Sequence, residues 1–137
     1  MGETGLRFID SNIFLELFLN QEKAERCRSF LQKVFDGEHP SAISDFVVYS
    51  CLLQLEKKAN DKAVSQEFLL WLLGFNHLTL LRPSFEEMFL ALSIEKECRC
   101  DFDDALIVSC MKGNGITKLV SFDKHFDSVE GITRIEP

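Results

Sequence analysis

Leu6-Arg7-Phe8-Ile9-Asp10-Ser11-Asn12 reads as a short buried strand that ends on an aspartate and runs straight into a helix. Ser11 or Asn12 can cap that helix, which continues through Ile13-Phe14-Leu15-Glu16-Leu17-Phe18. The same strand-then-helix theme recurs along the chain. Ser41-Ala42-Ile43-Ser44 is a strand or a connector, and the helix after it carries Phe46, Val47, Leu52, Leu53 and Leu55 on its apolar side. Leu78-Thr79-Leu80-Leu81 is a strand, and Ser84 opens a helix with Glu86 and Glu87 in a first turn that favours negative charge. Lys118-Leu119-Val120-Ser121 and Ile132-Thr133-Arg134-Ile135 complete the strands.

Between them, Ala24, Cys27, Phe30, Leu31, Val34 and Phe35 recur every three or four places across residues 21–36 and predict a helix. Gly37 ends it as a left-handed cap. Residues 61–73 predict another helix closed by Gly74, and Asp103 through Lys112 a further one broken by Gly113-Asn114-Gly115. Strands alternating with helices predict an α/β fold, a three-layer α/β/α sandwich around a central, mostly parallel sheet of four to five short strands. No linker or repeat divides the chain, so residues 1–137 are expected to form one domain.

Composition narrows the function. The chain is 46 % hydrophobic and 27 % charged, with 13 Phe against one Trp and one Tyr, which predicts a Phe-rich interior and leaves room for an apolar self-association surface. A net charge of −7 argues against a protein that binds nucleic acid by coating phosphates with Lys and Arg. It does not exclude nucleic acid as a substrate, because metal ions held by aspartates reverse the local sign. Five cysteines without a secretory signal suit a reduced, cytoplasmic setting, and Cys98-x-Cys100 lacks the partners of a zinc site. No apolar run reaches the roughly 18–20 residues that span a bilayer; Phe68 to Phe75 is short enough for a buried helix end.

Three aspartates then carry the chemistry. Asp10 follows the first strand, Asp123 follows Leu119-Val120-Ser121-Phe122, and Asp104 opens a helix in Asp101-Phe102-Asp103-Asp104-Ala105-Leu106. In open parallel sheets, ligands bind at the carboxyl ends of the strands, where Asp10 and Asp123 fall. Helix capping or first-turn charge explains each acid taken alone. Together they suggest one oxygen-lined site for Mg²⁺ or Mn²⁺, suited to phosphodiester chemistry. Asp101 lies one turn before Asp104 and is a further candidate, whereas Asp103 is expected to face solvent. Lys124 and His125 adjoin Asp123 and could touch an RNA backbone.

Phe8-Ile9-Asp10-Ser11-Asn12, Asp101-Phe102-Asp103-Asp104-Ala105-Leu106-Ile107-Val108 and Leu119-Val120-Ser121-Phe122-Asp123-Lys124-His125-Phe126, in this order, together resemble the PIN domain of VapC-type toxins and RNA-processing proteins. Gly131 to Pro137 also fits, so the resemblance covers nearly the whole chain. It implies a metal-dependent ribonuclease whose catalytic and metal-binding acids are Asp10, Asp104 and Asp123. Ser11, Asn12 and Ser121 match the small polar residues that support them. It further implies RNA as substrate, a homodimer, and, in the toxin branch, an antitoxin partner.

One position departs from the pattern. The family carries a Glu six residues after the serine that ends the second strand, and counting from Ser44 lands on Ser50. Serine is a poor ligand for a hard cation. Asp45, Glu16, Asp101 and Asp127 are the carboxylates that could stand in, with Asp101 and Asp127 the better placed in sequence. The alternative is a PIN-fold RNA- or protein-binding scaffold weakened in catalysis by Ser50. A phosphoacceptor domain would need an Asp at the end of the third strand, which reads Leu80-Leu81-Arg82-Pro83 instead.

Overall fold

The computed structural model describes residues 4–137. Five strands form one wholly parallel sheet in the order β3-β2-β1-β4-β5. They are β1 (Arg7–Ile9), β2 (Ser41–Ser44), β3 (Leu78–Leu81), β4 (Lys118–Val120) and β5 (Thr133–Ile135). The helices are α1 (Ser11–Phe18), α2 (Ala24–Phe35), α3 (Asp45–Lys58), α4 (Ala63–Leu73), α5 (Phe85–Cys98) and α6 (Phe102–Gly113). A single 3₁₀ turn, Lys124–Ser128, links β4 to β5. The expected α/β sandwich is what the chain adopts, and Ser41–Ser44 is a strand with all four residues buried.

The chain moves outward from β1 to β2 and β3, then returns to the opposite side of β1 with β4 and β5. That reversal puts the topological switch point between β1 and β4. Their register pairs Ile9 with Val120, so the residues that leave the two strands, Asp10 and Ser121, emerge side by side. The Asp10 N–H still donates to the Val120 carbonyl at 3.0 Å, which fixes the aspartate at the sheet edge.

Local chemistry sets the helix boundaries. Ser44 accepts the Val47 N–H at 3.2 Å and starts α3. Ser84 and Glu87 form a reciprocal capping box at the start of α5, with bonds of 3.1 and 2.8 Å. Gly37 takes φ +84° just beyond α2, and a Cβ there would approach the His77 ring at 3.1 Å. His77 in turn contacts the Phe35 carbonyl through Nδ1 at 3.1 Å, which ties the end of α2 to the start of β3.

The core fills the space around β1, β4 and α6. Phe8 and Ile9 are fully buried, as are Leu119 and Val120. In α6, every residue from Ala105 to Met111 is buried, so this helix runs through the interior rather than over it. Phe14, Phe18, Phe68 and Trp71 meet edge to face with ring centroids 5.2–6.0 Å apart. A Phe burial such as Phe14 contributes on the order of 1.5–3 kcal/mol from apolar area alone.

Two sequence expectations fail in the same region. The apolar run from Phe68 is not a buried helix end: Phe68 is 1 % exposed, but Leu70 is 68 % and Leu73 83 %. Leu53, expected on the apolar side of α3, is likewise exposed. The reason is geometric, since a surface helix can bury only one stripe. Phe68 faces the core, Trp71 and Leu72 are half-buried against it, and Leu69, Leu70 and Leu73 are left outside. Phe85 and Phe89 on α5 and Leu80 on the edge strand β3 are exposed as well.

Candidate functional site

The carboxyl edge of β1 and β4, the start of α6 and the first half of α3 enclose a cleft of about 150 Å³. Its walls are Asp10, Ser11, Asn12, Phe46, Val47, Ser50, Asp103, Asp104, Ile107 and Asp123. The three acids singled out in the sequence therefore meet, although 94 and 19 residues separate them along the chain.

Asp10 is the most constrained of them. It is 7 % exposed and caps α1. Its Oδ1 accepts the Ser11 N–H at 2.7 Å, while Oδ2 accepts the Ser121 hydroxyl at 2.7 Å and the Asn12 amide at 3.2 Å. Asn12 also donates to Ser121 Oγ at 3.2 Å, and Ser121 Oγ accepts the Asp123 N–H at 3.0 Å. One hydroxyl thus connects the acid after β1 to the acid after β4. Burial pushes the Asp10 carboxyl above its ordinary range; the Ser121 and Ser11 bonds oppose this, and Asp123 adds like-charge repulsion.

Asp123 begins the 3₁₀ turn, accepting the His125 N–H at 3.0 Å and facing His125 Nδ1 at 2.8 Å, both through Oδ1. Asp104 stands in the first turn of the buried α6, where the helix N-terminus favours its anionic form. Burial nonetheless lifts its pKa to about 6, with repulsion from Asp103, Asp123, Asp10 and Asp101 adding to the effect. Four named neighbours of like charge describe a site short of positive charge.

That shortage is the observation against which a metal must be tested. An all-oxygen set of carboxylates gathered at one cleft is the donor chemistry of a hard divalent cation, which keeps several waters and needs only one or two direct carboxylates. Asp10, Asp104 and Asp123 fit that chemistry. Among the described residues no three His, Cys, Asp or Glu side chains converge closely enough, as they stand, to ligate one ion directly. Waters would have to complete the shell.

The other sequence candidates are placed elsewhere. Asp127 is held by Arg134 through bonds of 2.8 and 3.2 Å, which lowers its pKa, and it does not line the cleft. Asp101 occupies the N-cap position of α6 without a side-chain capping bond and lines a neighbouring cavity. Asp45 pairs with Arg82 at 3.4 Å, and Glu16 accepts the Lys23 N–H at 2.9 Å. None of these four reaches the cleft. Asp103 does: it is exposed, as expected, yet sits on the rim beside Asp104. Ser50 lines the cleft from α3, so the position where the family pattern places a Glu faces the acids without a charge.

Sequence reading passed over the link between Asp123 and His125. The signal was present as an aspartate two residues before a histidine in a loop, the spacing at which an Asp side chain turns back on the backbone N–H.

A parallel α/β/α sandwich with acids gathered at its switch point defines a class, and comparison with known proteins places the chain within it. The PIN domain family model matches residues 7–132, and the chain belongs to that family. It is 27 % identical over 146 aligned positions to Ribonuclease VapC6 of Methanocaldococcus jannaschii, covering 94 % of this chain and 95 % of that protein. Its fold resembles the sarcin-ricin-loop-cleaving toxin VapC20 of Mycobacterium tuberculosis, with a TM-score of 0.76 at 16 % identity over 96 % and 99 % of the two chains. It also resembles a chain of the promoter-DNA-bound VapBC2 of Rickettsia felis, with a TM-score of 0.70 at 18 % identity over 96 % and 98 %.

Proposed function

We propose that this protein is a metal-dependent ribonuclease, the toxin of a cytoplasmic toxin–antitoxin pair, with RNA phosphodiester bonds as substrate. The observation that carries the reading is the meeting of Asp10, Asp104 and Asp123 in one cleft at the switch point of the sheet. The similarity to a ribonuclease along nearly the whole chain agrees with it. Several solved structures of similar fold come from toxin–antitoxin complexes, which supports an antitoxin as partner.

Asp10, Asp104 and Asp123 would hold Mg²⁺ or Mn²⁺. When bound, such an ion supplies a water of lowered pKa and offsets charge on the leaving oxygen. The chain's own contribution is positional. Ser121 and Asn12 hold Asp10 in one orientation, leaving it no freedom to turn from the cleft. His125 fixes Oδ1 of Asp123 and leaves Oδ2 for a ligand. Burial and the neighbouring carboxylates raise the Asp104 pKa to about 6 in the metal-free chain, so a bound cation would relieve the repulsion there.

Exposed Leu70, Leu73, Leu80, Phe85 and Phe89 on α4, β3 and α5 are apolar surface that a homodimer would cover. Sedimentation of the purified chain tests it; a monomer at all concentrations would remove that part of the proposal.

Ser50 favours a second reading, in which the fold keeps a weak metal site and binds RNA with little turnover. The deciding assay is cleavage of labelled single-stranded RNA in Mn²⁺, beside EDTA and an Asp10→Asn protein. Cutting that disappears in both controls is the expected result. A folded wild-type protein that never cuts would transfer the case to the second reading.

A further inference from the structure

Next to the acidic cleft lies a larger cavity of about 270 Å³, lined by Arg99, Cys100 and Asp101 from the α5–α6 connection and by Asp104, His125 and Ser128, among others. The two spaces adjoin. Asp104 lines both, and His125, on the wall of the larger one, has its Nδ1 2.8 Å from Asp123 of the smaller. The volume is close to the lower bound of small-ligand pockets, roughly 300 Å³, so it suits one small unit rather than a helix of a partner.

Arg99 is the anomalous residue. It follows α5 with φ +53° and ψ 39°, the left-handed conformation that helix ends ordinarily give to Gly or Asn. It is exposed, and among the described residues it makes no ion pair. A strained backbone position filled by a cation, on the wall of a cavity opening beside a carboxylate cluster, is poorly explained by stability. It is well explained by a need to hold an anion there. The chain as a whole, at net charge −7, repels one.

We propose that this cavity receives one nucleoside of a single-stranded RNA, adjacent to the phosphate cut at the acidic cleft, and that Arg99 binds its phosphate. The inference rests on the ribonuclease reading and names the subsite that positions its substrate. The rest of the wall has the mixed character a nucleoside requires. Asp101 offers an acceptor to ribose or base amines, Ser128 is a hydroxyl, and Cys100 is only half-exposed and weakly polar. Arg is the side chain best suited to join phosphate and base, through its forked donors and its flat face.

The position makes the test clean, because glycine is the residue its backbone prefers. Arg99→Gly should fold with a Tm at or above the parent and still lose RNA. With a fluorescein-labelled single-stranded RNA in EDTA, anisotropy should show roughly tenfold weaker binding, and the slope of log affinity against log salt should shrink by about 0.7. In Mn²⁺, KM should rise about tenfold more than kcat changes. Arg99→Lys should recover part of the affinity, and Arg99→Gln should repeat the loss without altering the size of the side chain greatly. Replacing single nucleotides of the RNA by abasic ribose should weaken binding at one position beside the cut.

If wild-type protein cuts RNA while Arg99→Gly and Arg99→Gln bind it as tightly and with the same salt slope, the inference falls alone. If wild-type protein neither binds nor cuts RNA, the ribonuclease reading falls with it.

Discussion

The strand side and the helix side of the acidic cleft carry the same chemistry on different supports. Asp10 and Asp123 leave adjacent parallel strands, and the Ser121 hydroxyl bonds to both, once as donor and once as acceptor. Asp104 and Ser50 stand on α6 and α3, and among the described residues the Asp104 carboxylate accepts no hydrogen bond. One half is oriented by the sheet before any ligand arrives; the other is left with unbalanced charge. The difference teaches where substitution should be fatal and where it should be adjustable.

The largest effect belongs to the strand side. Asp10→Asn should lower RNA cleavage by at least roughly a hundredfold, because it removes both the charge and one acceptor of the network. Parallel single-turnover assays check it, and retention of cleavage would mean the two sides do not divide the work as described. Ser121→Ala comes next. It leaves Asp10 Oδ2 and the Asp123 N–H each short of a partner, for a stability cost of about 1–3 kcal/mol by denaturant titration. Ser50→Ala, on the helix side, should change stability by less than about 0.5 kcal/mol. Equal losses in the two alanine variants would erase the contrast.

The helix side offers the reverse experiment. None of Asp45, Glu16, Asp101 or Asp127 reaches the cleft, so a carboxylate at position 50 has no resident substitute there except Asp103 on the rim. Ser50→Glu should therefore raise Mn²⁺-supported cleavage by roughly tenfold, read as kcat/KM over a metal titration. No change would mean that Asp103 already serves.

Much of this was legible beforehand, for a physical reason. Strand ends are marked by where an apolar run stops at a capping residue, and in a parallel sheet those ends share one edge; Asp10 and Asp123 were found that way. Register was not legible, since nothing in Leu119-Val120-Ser121 states that Val120 lies opposite Ile9, yet that pairing is what sets Ser121 against Asp10. The helix side was read less well. A carboxylate one turn from Asp104 can point to the same space or to the next one, and Asp101 points to the next. Asp127 could not be separated from a ligand by spacing alone, because its partner Arg134 comes seven residues later, after the turn that folds the chain back. Outward leucines on α4 and α3 misled for a related reason: an apolar run says that a surface is greasy, not that this chain covers it.

A last effect concerns the uncompensated charge itself. The Asp104 pKa is pushed from 3.8 to about 6 on folding, chiefly by burial. The folded state therefore holds that proton more tightly than the unfolded chain does, so protonation favours folding. Its contribution is greatest below about pH 4 and disappears as pH rises through 6, where the charged form penalises the fold. With solvent screening allowed for at a half-exposed site, the penalty above pH 7 is about 1 kcal/mol. Metal-free protein should then melt roughly 3 °C higher at pH 5 than at pH 7.5, and Asp104→Asn should lose most of this rise. Mn²⁺ at pH 7.5 should return stability to the wild type and less to the variant, since a cation relieves the same repulsion that the proton does. A variant that kept the full pH dependence would assign it to Asp10 instead, whose carboxyl burial also raises, and the imbalance would then lie on the strand side of the cleft.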